Sequence, residues 1–281
     1  MQFQTLNKAS VDTIRTCFNA SFADYELPLN MDEAAFMHKL RVEDIDLNIS
    51  VGAFDGNVLV GFILFGLDKE TAWDGGTGVL PTHRGQKLTQ RMFEHAVPIL
   101  KEKGVQRVIL EVLENNIGAH RIYEKIRFKD VRKLNAYKGH FKSTKQQLHT
   151  IEIVTDYNTK EFSALCDWQP AWQQMNNRVC NWGDVVTTIA IKEGNEVLAY
   201  AHYTTLINHA IQSKRVLQFA VAEKYRRKGL ASALFQHISG DGSLPITVIN
   251  VDGNSENSNR FLKSIGLEHF ISQYEMEIKI I

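Results

Sequence analysis

Apolar residues at every fourth position, Leu88, Met92, Ala96 and Leu100, mark the buried face of a helix near 85–103. Shorter amphipathic stretches near 10–23 and 31–43 predict two more helices, and a last one falls near 116–127. Between them the period changes. Residues 48–55, 57–67 and 71–80 read as strands joined by short turns, with "DGNV" (55–58) as a hairpin signal. "VQRVILEVLE" (105–114) is a nearly continuous apolar run, which suits a strand covered on both faces. Strands near 2–7 and 128–138 open and close the series. Pro98 lies inside the longest helix, where an interior proline predicts a kink.

The whole series then repeats. Arg84 and Arg226 are 142 positions apart, as are Val79 and Val221, Leu88 and Leu230, and Phe93 and Phe235. Further on, 106–116 lies over 245–255, and "YEKIRF" (123–128) over "LKSIGL" (262–267), both at an offset of 139. Two copies of one supersecondary unit carry more weight than any single motif. The second copy predicts a central helix near 228–239 and a buried strand near 245–252. The polar, basic link "KGHFKSTKQQ" (138–147) places two consecutive α/β domains at 1–142 and 148–281.

Composition changes this picture little. A chain of 281 residues with 44% hydrophobic and 23% charged residues can build a core in each half. The formal net charge is zero, which selects neither nucleic acid nor a membrane surface as partner. Cys17, Cys166 and Cys180 cannot all pair and form no metal-type spacing, so the expectation is reduced thiols and no metal. The opening "MQFQTLNKASVD" lacks the pattern of a secretory leader, and no apolar run approaches the roughly 20 residues that span a bilayer. A cytoplasmic location is expected.

Candidate chemistry gathers at one place in each copy, "PTHRGQKLTQRMF" (81–93) and "EKYRRKGLASALF" (223–235). Each follows an apolar strand and opens a long helix. A helix N-terminus offers unpaired N–H groups and partial positive charge, and so holds phosphate. The Walker-type loop and the GxGxxG turn are both absent. "RRKGLA" (226–231) resembles the Q/R-x-x-G-x-G/A loop of the GNAT superfamily of N-acetyltransferases, through Arg226, Gly229 and Ala231. "RGQKLT" (84–89) keeps Arg84 but has Lys87 where glycine is expected and Thr89 at the small position. "LEVLENNIGAHRIYEKIRF" (110–128) resembles the family's distal strand and helix, with Asn116, Ala119 and Tyr123 at matching positions.

The resemblance implies two GNAT-like domains, each with a mixed, mostly antiparallel, splayed sheet flanked by about four helices. It implies acetyl-coenzyme A as co-substrate. The loop residues Val79, Arg84, Gly85, Gln86, Lys87, Leu88 and Thr89, with Asn116, would bind it in the first copy. Val221, Arg226, Arg227, Lys228, Gly229, Leu230 and Ala231 would do so in the second. Acetyl passes directly to an amine of a small molecule or peptide, which must first lose a proton, at a cost of about 5 kcal/mol for an alkylamine at pH 7. Tyr123 matches the family's acid for the departing thiolate. In the second copy Leu262 aligns with it, or Phe261 with a slip of one, so the first copy is expected to be the catalytic one. The second is expected to bind coenzyme A or to shape the acceptor site. The alternatives are a non-catalytic coenzyme A sensor and catalysis in the second copy.

Base candidates carry two readings each. Glu111 in "VILEVL" is a base or a hydrogen-bonded structural carboxylate; Asp74 is a base or a turn residue. His83 reads as a loop residue and His202 as a packed core histidine. Phe22 and Tyr25 lie in the acceptor region, and Trp168 and Trp172 flank Pro170 in a helix that either seals a core or walls an acceptor site. The unit is expected to act as a monomer with internal pseudo-symmetry or as a homodimer.

Overall fold

A computed structural model describes residues 1–24, 30–142, 149–155, 159–166, 168–208 and 211–280. Two compact units emerge, Met1–Val131 with Tyr274–Ile281, and Arg132–Gln273. In the first, β1 (Gln2–Thr5), β2 (Val51–Asp55), β3 (Val58–Asp68), β4 (Thr71–Val79) and β5 (Arg107–Leu113) lie side by side in sequence order. The first four are antiparallel, and β5 runs parallel to β4. The continuous apolar run of β3 is explained by its two faces. Phe62 and Leu64 pack with Ile14, Cys17 and Phe18 of α1 (Val11–Ser21) and Phe36 of α2 (Glu33–Val42). Ile63 and Phe65 pack with Leu88, Met92, Ala96 and Leu100 of α3 (Leu88–Glu102). The helix α4 (Ile117–Ile126) follows β5, and α3 continues unbroken through Pro98.

The second unit repeats this plan. Its strands are β6 (Lys129–His140), β7 (Glu152–Ile153), β8 (Val186–Glu193), β9 (Glu196–Asn208), β10 (Ile211–Val221), β11 (Pro245–Asp252) and the first part of β12 (Leu267–Lys279). The order is β6-β11-β10-β9-β8-β7, with β10 and β11 parallel. The helices are α5 (Thr159–Ser163), α6 (Asn176–Asn181), α7 (Leu230–Ile238) and α8 (Glu256–Ser264). The helix expected around Pro170 is only a 3-10 turn at Trp172–Gln174. Trp172 is buried there, while Trp168 remains partly exposed.

The compact units and the sequence repeats have different boundaries. From Arg132 onward β6, the last strand of the first repeat, belongs to the second unit and pairs with β11, Tyr137 opposite Val248. There Gly253 N–H donates to the Lys133 carbonyl (2.8 Å), and Arg132 pairs with Asp252 (2.9 Å). Conversely, the end of β12 belongs to the first unit. Met276 and Ile280 are buried with Val108 and Leu110, and Ile280 N–H donates to the Gln106 carbonyl (2.9 Å). The two final strands are thus exchanged. Side-chain alternation in a strand fixes which face is buried but not which neighbour it joins, so a sequence repeat is silent on exchange.

His202 on β9 is fully buried, with Nδ1 2.9 Å from Thr188 Oγ1 and rings of Tyr200 and Phe162 beside it. This is the packed histidine expected from sequence. Burial pushes its pKa down to about 4. An unfolded histidine titrates near 6.5, so the second unit is expected to lose stability as pH falls from about 6.5 to about 4. Denaturant titrations at pH 7 and pH 4.5 check this; a His202→Leu chain should lose measurably less between them.

Candidate functional site

In both units the site begins where two parallel strands part. β4 pairs with β5 only over Thr71–Trp73, and its register against β3 then slips by one residue at Gly75. β10 pairs with β11 over Lys214–Val216 and slips at Leu217, 142 positions later. A β-bulge bends its strand away from the neighbour, so backbone groups beyond it face a gap instead of a partner. Gly75 leaves room at the bulge for two side-chain ends from the neighbouring segment. A Cβ there would come within 2.6 Å of Ile45 Cδ1 and 2.9 Å of Glu43 Oε2.

Asp74 sits at this bulge. Its carboxylate accepts from Gly76 N–H (2.8 Å) and Thr77 Oγ1 (2.5 Å), and burial pushes its pKa up to about 6 against those bonds. Lys39 and Glu43 on the last turn of α2 act on it with opposite signs; they pair with each other at 2.5 Å, largely shielded from solvent. The Trp73 indole N–H holds the Glu43 carbonyl (2.8 Å) and pins this end of α2 to β4. Lys39 and Glu43 escaped the sequence reading, because only the bulge brings them to Asp74. Glu111 lies on β5 facing away from Val108, Leu110 and Val112, which belong to the α3 core. At the position equivalent to Glu111, Asn250 is buried in a left-handed conformation (φ 60°), gripped by Gln173, Gln174 and Gln273.

Beyond the splay both chains make the same turn. Gly85 and Lys87 have φ of 80° and 56°; Arg227 and Gly229 have 66° and 86°. The backbone requires a left-handed residue at both positions of each loop, and each copy places its one glycine at a different one of them. Lys87 therefore keeps the loop intact at the cost of an unfavourable backbone, about 1–2 kcal/mol for a non-glycine residue. Lys87→Gly is expected to stabilise the first unit by about 0.5–1 kcal/mol, read from thermal unfolding, once glycine's own entropic cost is set against that strain.

The helices that follow lack caps. In the first unit Ser10, Asp32 and Asn116 cap α1, α2 and α4 with side-chain oxygens, whereas no side chain caps α3 at Lys87; in the second unit no side chain caps α7 at Gly229, nor α6 at Met175 or α8 at Ser255. Leu88 and Leu230 anchor these first turns in the two cores, with Thr89 and Ala231 next to them. Their leading N–H groups are left for an anion. The arginines of the two loops have different partners. Arg84 donates to both oxygens of Asp24 (2.6 and 2.8 Å) and to the Ser21 carbonyl (2.9 Å), so it braces the loop. Its Nε reaches the Val79 carbonyl (3.3 Å), as Arg226 Nε reaches that of Val221 (3.1 Å). In the second loop Lys224 pairs with Glu196, Lys228 lies over the Tyr225 ring, and Arg226 and Arg227 line a cavity of about 480 Å3. That cavity reaches from Gly229 and Ala231 along Phe219 to Phe261.

The aligned positions 123 and 262 differ in surroundings. Tyr123 on α4 is half-buried, its ring edge-on to Phe128 at 5.7 Å. Leu262 is fully buried, and Phe261 faces the cavity within a cluster with Phe219 and Phe235. The structure adds a second difference. The residue aligned with Asp74 is Val216, also fully buried. Asn116, assigned to the cofactor from sequence, caps α4 through Ala119 N–H (3.1 Å). Gln86 is exposed at the loop tip, and His83, expected in a loop, ends a 3-10 turn (Pro81–His83) with its ring 3.7 Å from Asp55. Phe22 packs on Phe18 (4.8 Å), while Tyr25 lies outside the described residues. Among the described residues no group of three His, Cys, Asp or Glu side chains could hold a metal ion.

Comparison with known proteins agrees with this geometry. A protein of Haemophilus influenzae named [ribosomal protein bS18]-alanine N-acetyltransferase is 34% identical over 85 residues, which cover 30% of this chain and 56% of that one. A tandem GNAT protein from the clavulanic acid biosynthesis pathway superposes with a TM-score of 0.70 at 10% identity, over 100% of this chain and 98% of its own. A GCN5-related N-acetyltransferase from Sphaerobacter thermophilus gives 0.67 at 15% identity, over 99% and 95%. Residues 11–128 and 149–266 each match the Acetyltransferase (GNAT) family. The chain belongs to that family, as a tandem of two of its domains.

Proposed function

We propose that the protein is an acetyl-coenzyme A-dependent N-acetyltransferase whose working site lies in the first unit. The observation that carries this reading is the bulge, strand parting, left-handed loop and uncapped helix at residues 74–89, built a second time at 216–231. Acetyl-coenzyme A supplies an acyl thioester. The N–H groups at the head of α3 would hold its diphosphate, with Lys87 adding charge, and the freed backbone beyond Gly75 would donate to the thioester oxygen. Asp74 takes a proton from the arriving ammonium, and Tyr123 gives one to the departing sulfur. The second unit, with Val216 and Leu262 at those two positions, binds coenzyme A without turning it over.

The Asp74 carboxyl, at about 6, also bears on the acceptor. It lies about two units below a peptide α-amine and more than four below a lysine side chain, so proton transfer from the α-amine is the better matched. The α-amino acceptor named for the Haemophilus relative fits this choice. A thiol-release assay with acetyl-coenzyme A and a panel of amines tests the reading. Turnover should favour α-amines, vanish in Tyr123→Phe and survive Ala231→Glu. Loss in Ala231→Glu with retention in Tyr123→Phe would move the site to the second unit.

A further inference from the structure

A lysine stands at the bulge of the first unit. Lys39 Nζ lies 2.5 Å from Glu43 Oε2, and that same oxygen lies 2.9 Å from the point a Cβ would take at Gly75. The ammonium is thus held where β4 leaves β5, one residue past Asp74. Lys39 and Glu43 are four apart on α2, so one helical turn presents both to β4. The bond from the Trp73 indole to the Glu43 carbonyl fixes how close they come.

Shielding sets this lysine apart. Lys39 keeps only 13% of its side chain exposed, whereas the other lysines of the first unit are exposed. A reagent arriving from solvent therefore reaches Lys39 last. An ion pair withdrawn from water is costly to keep charged, and burial pushes the Glu43 carboxyl up. Proton transfer from Lys39 to Glu43 leaves a neutral amine beside the bulge, the form that attacks a thioester.

We propose that Lys39 is a site of self-acetylation, its amine taking the acetyl group of acetyl-coenzyme A bound to the same chain. The proposal rests on the reading of residues 74–89 as the acetyl-coenzyme A site. Lys39 Nζ passes one proton to Glu43 and forms a bond to the acetyl carbonyl carbon. The carbon–sulfur bond breaks, the nitrogen's second proton goes to Asp74, and the sulfur leaves as a thiol with the Tyr123 proton. Of the two protons the nitrogen loses, one thereby replaces that of Tyr123 and the other passes to solvent. The product is an uncharged amide, which neither pairs with Glu43 nor offsets the charge of Asp74.

Peptide mass spectrometry of the full chain, incubated with acetyl-coenzyme A and no added amine, tests this. The label on Lys39 is expected to grow at least about tenfold faster than that on exposed Lys69 or Lys103, at a rate per chain that dilution leaves unchanged. N-acetoxysuccinimide, which needs no binding site, should reverse the order and label Lys39 last. Tyr123→Phe and Asp74→Asn should each slow labelling of Lys39 by about 10²-fold or more and leave Lys69 and Lys103 as before. Labelling of Lys39 that is no faster than that of Lys69, that falls on dilution or that either variant retains would overturn the proposal. So would a Lys39 that N-acetoxysuccinimide labels first. Thiol release with added amines separates the two readings. An unlabelled Lys39 in a chain that turns over added amines leaves the acetyltransferase reading standing, and an unlabelled Lys39 with no turnover of any amine overturns both.

Discussion

Tyr123→Phe is expected to lower kcat for thiol release by roughly 10²- to 10⁴-fold, the range that positioned acid or base groups contribute. Its ring packing on Phe128 should be retained, so coenzyme A affinity should change little. Asp74→Asn should cost a similar factor, and it carries a sign that a structural carboxylate would not produce. Asp74 has a raised carboxyl, about 6 against an ordinary value near 3.8. The folded chain therefore binds a proton more readily than the unfolded chain, and stability falls as pH rises through that window. At pH 7.5 the buried charge is a liability, and Asp74→Asn removes it while leaving an acceptor for Gly76 N–H. The variant is expected to be inactive and more stable by about 1–2 kcal/mol. Thermal unfolding at pH 7.5 beside the activity assay separates the cases; a less stable Asn variant would mark Asp74 as a brace for the bulge.

Met276→Ala should destabilise the first unit by about 2–4 kcal/mol, although position 276 belongs to the second repeat. Met276 is fully buried against the core that holds Val108, Leu110 and Met92. Whole domains are stable by only about 5–15 kcal/mol, so this is a large fraction of the total. Hydrogen exchange should accelerate in α3 and much less in α7. For the same reason, a chain ending at Gln273 should lose the first unit's cooperative unfolding. Acceleration confined to α7 would contradict the strand exchange.

The repeat made much of this legible in advance. The offset of 142 located both loops, and the structure places the two bulges, at Gly75 and Leu217, at that same spacing. Hydrophobic spacing gave α3 its buried face because packing, more than propensity, holds such helices. What failed to show depended on contacts distant in the chain. Asp24 lies 60 positions from the Arg84 it engages, so the guanidinium read as a phosphate ligand when its partner was invisible. Trp168 and Trp172 looked like one helix face, but Pro170 leaves only a short turn, with one ring in the core and the other on a cavity. The exchange of β6 and β12 was hidden because each strand's alternation suits either edge. Lys87 looked like a defect, and the observed dihedrals show a left-handed position filled at a modest cost.

The central physical claim is that N–H groups at an uncapped helix head hold a diphosphate. Calorimetric titration of the unaltered chain with free coenzyme A, and separately with pantetheine, tests it most directly. The account predicts saturable binding of coenzyme A and affinity for pantetheine at least a hundredfold weaker, because pantetheine lacks the diphosphate that the helix head engages. Equal affinities for the two, or no heat from coenzyme A up to about millimolar, the weak end of ordinary affinities, would contradict it.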